Sequence, residues 1–139
     1  MKPMIYRWLA LIVILASLVL AACAPGSDRA EKISPVTLEE IEGTEFKRVI
    51  LTEKAAERID VQTVAVGGTT IPYAAVIYDT EGNTWAYTNP EPMTFVRQAI
   101  FVDRIEGDQA ILSQGLDSGT MIVTVGVSEL YGAETGVSK

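Results

Sequence analysis

The chain of 139 residues contains no histidine and a single cysteine, and its 11 basic residues are outnumbered by 18 acidic ones. Lacking histidine, it has no Ser–His nucleophile pair, no imidazole general base and none of the commonest metal ligand. One cysteine excludes an internal disulfide and leaves no Cys–His zinc set. A formal net charge of −7 argues against nucleic acid as a partner. There is no Gly-x-Ser-x-Gly elbow. Val66-Gly67-Gly68 is not followed by the Lys-Ser/Thr pair of a phosphate loop. Asp103, Glu106 and Asp108 surround a turn but lack the spacing of a calcium loop, and read as solvated carboxylates. Met93 and Met121 invite a copper(I) reading, but 28 positions apart they read as packing or surface residues. The expectation is a non-enzyme with no cofactor and no metal.

The one long hydrophobic run is N-terminal. Lys2 and Arg7 precede an apolar stretch from Trp8 to Leu20 that only Ser17 interrupts, and Ala21 and Ala22 lead into Cys23. This is the layout of a secretory leader. Leu20-Ala21-Ala22-Cys23 also resembles the lipobox of bacterial lipoproteins. That resemblance implies cleavage before Cys23 and acylation of its thiol with chains such as palmitate, anchoring an extracytoplasmic protein to a membrane of the cell envelope. Each buried CH₂ of such a chain contributes ~0.8 kcal/mol. The alternative is an uncut signal anchor, since a helix from Met4 to Ala24 just spans a bilayer of ~30 Å. Removing residues 1–22 takes two basic residues and no acidic one, leaving a net charge of about −9.

Residues 24–44, rich in Pro, Gly, Ser and charge, read as a flexible tether. Phe46–Leu51 reads as a strand, Thr52 as the N-cap of a short helix over 53–59, and Val61–Val66 as a second strand. Gly67-Gly68 breaks the pattern. Tyr73–Asn89 alternates like a hairpin. Tyr73, Ala75 and Ile77 fall on one side, with Ala74, Val76 and Tyr78 on the other. After the turn Asp79–Asn83, Trp85 and Tyr87 share a face opposite Thr84, Ala86 and Thr88. Asn89-Pro90-Glu91-Pro92 ends that strand. Thr94–Ile105 reads as one long strand, followed by the short strands Gln109–Ser113 and Met121–Gly126 on either side of a turn at Gly115–Thr120. One helical turn near Ser128 closes the domain.

Two segments together carry a family resemblance. "VILTEKAAERIDVQTVAV" is similar to the leading segment, and "IPYAAVIYDTEGNTWAYTNPEPMTFVRQAIFVDRIEGDQAILSQGLDSGTMIVTVGVSELYG" to the C-terminal membrane-proximal part, of periplasmic adaptor subunits (membrane fusion proteins) of RND-type efflux pumps. The residues in the family pattern are Pro72, Gly82, Trp85, Tyr87, Arg97, Gly115, Leu116, Gly119 and Val123–Gly126. The likeness covers about Phe46 to Gly132. Gln114, Val127 and Asp60 depart from it, and Asp60 stands where the family often has glycine. Between the two segments the family carries a lipoyl-like domain, a coiled-coil hairpin and most of a β-barrel; here only Gly67–Ile71 stands there.

The expected fold is therefore mainly β: a small antiparallel β-roll or barrel-like domain with one short helix. The expected organisation is a leader over 1–22, a lipidated tether over 23–44, the domain over 45–133 and a tail over 134–139. Cys23 is the expected lipidation site, and Tyr73, Trp85, Tyr87 and Arg97 are the candidate interaction or groove residues. The resemblance implies a membrane-held, non-catalytic protein that docks on or assists a transporter subunit. The alternatives are a lipid-anchored small-molecule-binding protein, with a groove near Trp85 and Tyr87, or a stand-alone envelope scaffold.

Overall fold

The computed structural model describes residues 34–136. The leader, Cys23 and the first half of the expected tether lie outside them. Among the described residues no helix is long and apolar enough to cross a membrane. The chain forms the expected mainly β, antiparallel domain. Its strands are β1 (Val36–Glu40), β2 (Lys47–Leu51), β3 (Gln62–Pro72), β4 (Ile77–Tyr78), β5 (Thr84–Glu91), β6 (Thr94–Ile100), β7 (Val102–Glu106) and β8 (Gln109–Val125). They make one sheet in the order β1-β2-β6-β5-β8-β3, with β4 on β5 and β7 on β8. The sheet is open rather than closed into a barrel, and β1 and β3 are its edges.

Helix α1 (Glu53–Arg58) starts as expected. The Thr52 hydroxyl accepts from Ala55 N at 3.2 Å, and Glu53 complements the dipole in the first turn. It ends one residue short of expectation, in a two-bond C-terminal motif: Val61 N donates to Ala56 O and Asp60 N to Glu57 O. That motif puts Asp60 at φ 50°, in the left-handed region. A positive φ favours glycine, so an aspartate here is strained.

Several boundaries differ from expectation. Part of the stretch expected as tether is strand: Val36–Glu40 pairs with β2, Val36 opposite Leu51 and Glu40 opposite Lys47. Its polar composition suggested disorder, but an edge strand needs one apolar contact and a backbone partner. Val36 packs on the core, and Glu39 bonds Arg48 across the pair at 3.1 Å. Gly67-Gly68 does not end β3, and Gly115–Thr120 is not a turn. Both lie in one long β3–β8 ladder that absorbs the extra residues as register shifts. Glycine is required at 115, where a Cβ would sit 2.8 Å from Gly68 O. The long strand expected over Thr94–Ile105 is divided at Phe101, whose carbonyl is captured by Ser113 N at 2.8 Å. Tyr73–Ala75 is a 3₁₀ turn rather than strand, so hairpin alternation holds only from Ile77 onward. Pro90 is carried inside β5 by a bulge between Thr88 and Glu91, where the Asn89 amide donates to Glu91 O and Thr94 O. The residues expected as a tail begin inside a second helix, α2 (Val127–Thr135).

Both faces of the central strands are buried. Val49, Leu51, Tyr87, Phe95, Val123 and Leu130 pack in one core with α1 and α2. Ile71, Ala75, Ala86, Ile100, Leu112 and Ile122 form the other. Neighbours such as Ile122 and Val123 therefore serve opposite cores, which explains the unbroken apolar run of Met121–Val123.

Asp60→Gly is expected to raise stability by about 0.5–1 kcal/mol. It relieves left-handed strain at the loss of one exposed hydrogen bond from Gln62. Urea unfolding checks this, with an unchanged or lowered midpoint as the contrary result.

Candidate functional site

Of the four candidate residues, the fold brings three together. Trp85 and Tyr87 stand on the same face of β5, and Arg97 is the cross-strand partner of Tyr87 on β6. They meet the C-terminal helix. The Tyr87 hydroxyl donates to Glu134 Oε2, Arg97 donates to Glu134 Oε1 at 3.2 Å, and Lys47 N donates to the same oxygen at 3.2 Å. Glu134 is only 5% exposed. Burial first, then the hydrogen bond to Glu134, pushes the Tyr87 phenol above its ordinary range, so it stays a donor. The Arg97 guanidinium lies 4.7 Å from the Phe46 ring centroid, 5.1 Å from Trp85 and 5.4 Å from Tyr131. Phe46 and Trp85 meet edge to face at 4.8 Å. Among the described residues, Arg97 Nε is the buried side-chain nitrogen without an acceptor. The aromatic rings around the guanidinium offer it cation–π attraction instead.

This cluster is interior. Tyr87 is fully buried, and neither it nor Arg97 is among the residues that line the groove beside Trp85. Tyr73 does not join them; it is 43% exposed at the end of β3, with its N–H on Asp108 O. Trp85 is only half-buried rather than fully inside. It belongs both to the cluster and to an open groove of about 830 Å³, walled by Tyr78, Thr84, Ile100, Phe101 and Val102. The turn beside the groove is organised by Asp79. Its carboxylate accepts from Glu81 N at 2.9 Å, Asn83 N at 2.8 Å, Asn83 Nδ2 at 2.8 Å and Trp85 Nε1 at 3.0 Å. The Asn83 side chain, then the Trp85 indole, holds the Asp79 carboxyl down at about 2. Asp103 and Glu106 share Arg104, at 2.9 and 2.6 Å. Among the described residues no group of three or more carboxylate, thiol or imidazole side chains is placed to hold a metal ion.

Glu134, Phe46, Tyr131 and Asp79 were not among the sequence candidates. Val127, Leu130, Tyr131 and Glu134 recur at helical spacing, the signal that places Glu134 on the inward face of α2. No protein-family model, characterised protein or solved structure matches the chain.

Glu134→Leu removes the counter-ion of a buried guanidinium and is expected to cost roughly 3–5 kcal/mol. Tyr87→Phe deletes one bond to a charged acceptor and is expected to cost about 1.5–3 kcal/mol. Denaturant titrations of the two variants measure both, and a change below about 1 kcal/mol for Glu134→Leu would contradict the assignment. Asp79 titrates lower folded than unfolded. Its stabilisation of the turn is therefore complete above the ordinary value of 3.8 and is lost as pH falls toward about 2. The Trp85 indole N–H resonance is expected to shift in that window in the native chain and to show no such step in Asp79→Asn.

Proposed function

We propose that this protein is a non-catalytic, lipid-anchored component of the cell envelope whose adaptor-type domain docks on a membrane transporter. The observation that carries the reading is the way two distant segments close on each other. β2 lies against β6, and β3 runs beside β8 from Gln62–Val125 to Pro72–Gln109. The two segments that resemble those flanking the intervening domains of periplasmic adaptors lie in one sheet, and Gly67–Ile71 between them is part of β3. A domain of this kind keeps a membrane-proximal surface without the hairpin that reaches across the envelope. Buried Glu134 is fully engaged by Tyr87, Arg97 and Lys47 N, which favours a structural role over acid–base chemistry. Lipidation at Cys23 would confine the domain to a membrane and raise the effective concentration of partner and domain. The acidic excess favours a partner with a basic surface.

Photo-crosslinkers at exposed Glu81 and Asp117 in intact membranes test the reading. Crosslinks to a transporter subunit are expected, and their loss in Cys23→Ser, together with acyl-modified Cys23 by mass spectrometry in the native chain. Recovery of lipid and self-crosslinks alone would favour a scaffold or ligand-binding lipoprotein.

A further inference from the structure

We propose that the groove between the start of β5 and the β6–β7 corner docks a basic polypeptide segment that inserts one large apolar side chain against Trp85, Tyr78 and Phe101. The inference rests on the docking reading and gives its partner a chemistry. Phe101 is 61% exposed and Tyr78 50%, two of the most exposed large apolar side chains on the described domain, and both border the groove. Leaving such rings in water is unfavourable, and an aromatic-lined concavity of this size accepts an anchoring side chain. The groove is open, and its polar groups are spent internally. Thr84 Oγ1 donates to Ile100 O at 2.6 Å, Ser113 Oγ donates to Phe101 O at 3.3 Å, and the Asn83 amide donates to Asp79. Few convergent polar groups remain to orient a small molecule, which favours a larger partner that brings its own flanking contacts.

Charge selects that partner. Residues 73–113 hold six carboxylates and two arginines. Arg97 is buried against Glu134, and Arg104 is bonded to Asp103 and Glu106. The Asp79 carboxylate, bonded to the lining residues Asn83 and Trp85, and the Glu81 carboxylate, 3.5 Å from the Asn83 amide, therefore put negative charge at one end of the groove, while Asp103 is spent on Arg104. A lipid surface seated on Phe101 would press these carboxylates toward an apolar phase at a desolvation cost. A lysine- or arginine-flanked segment instead pairs with them while its apolar residue enters the groove.

The probe is a fluorescent, acetylated Lys-Lys-Phe-Lys-Lys amide, added to the full-length chain in detergent. A Glu-for-Lys version and phosphatidylcholine vesicles are the comparators. Saturable binding of the basic peptide is expected. It should weaken about tenfold in Phe101→Ala, equivalent to ~1.4 kcal/mol. It should also weaken several-fold between ionic strengths of about 0.05 and about 0.5 M, and the acidic peptide should not bind. Phe101→Ala, made at an exposed position, should melt like the native chain. Equal binding by native and variant chains, or no saturation, overturns the inference. So does Phe101-dependent uptake into the vesicles without peptide discrimination, which would assign the groove to a membrane. Failure here alongside a transporter crosslink from Asp117 moves docking to another face, whereas failure of both removes the docking reading itself.

Discussion

The carboxylate of Glu134 is the contact on which the arrangement of one core depends. It is carried by the last helix, yet its partners come from β2, β5 and β6, at separations of 87, 47 and 37 residues. Placing a carboxylate out of water costs several kcal/mol unless its oxygens are bonded and a counter-charge is near. The four elements must therefore be in place together before the burial becomes tolerable. Arg97, fixed by that pair, lies among Phe46, Trp85 and Tyr131 and ties the aromatic side chains to the same point. Leu130, one turn earlier on the same helix, adds fully buried apolar surface.

The second organising element is β8. Its seventeen residues pair with β3 along their length, with β7 at one end and with β5 near the other. Period-two alternation lets one strand serve both cores, Ala110 and Leu112 with Ile122 on one side and Val123 on the other. The close approach of Gly115 to Gly68 leaves no room for a side chain, so small residues here answer to backbone proximity more than to a turn. At the far end Ser113 captures the Phe101 carbonyl, breaks β6 from β7 and holds Phe101 outward beside Trp85. The groove is thus a by-product of how β8 terminates the neighbouring strands.

The local devices were readable. The Thr52 cap, the Asp79–Asn83 turn and the alternation of Trp85 and Tyr87 against Ala86 each act within a few residues, and each forms as its composition predicts. The left-handed φ of Asp60 comes from the helix C-terminal motif that closes around it. The misread stretches are those whose fate lies with a distant partner. Val36–Glu40 looks like tether until β2 is beside it. Gly67-Gly68 looks like a break until the bulged middle of β8 lies alongside. Glu134 looks like tail until Arg97 meets it.

The sequence by itself determined the mainly β character, the position of α1, the hairpin turn and the face on which Trp85 and Tyr87 stand. Backbone preferences and period-two alternation are properties of neighbouring residues. Only the tertiary structure decided that Tyr87 and Arg97 are interior, that Trp85 is shared between core and groove, and that Phe101 is left in water. Alternation states which side chains share a face. It does not state which strand, helix or solvent that face will meet.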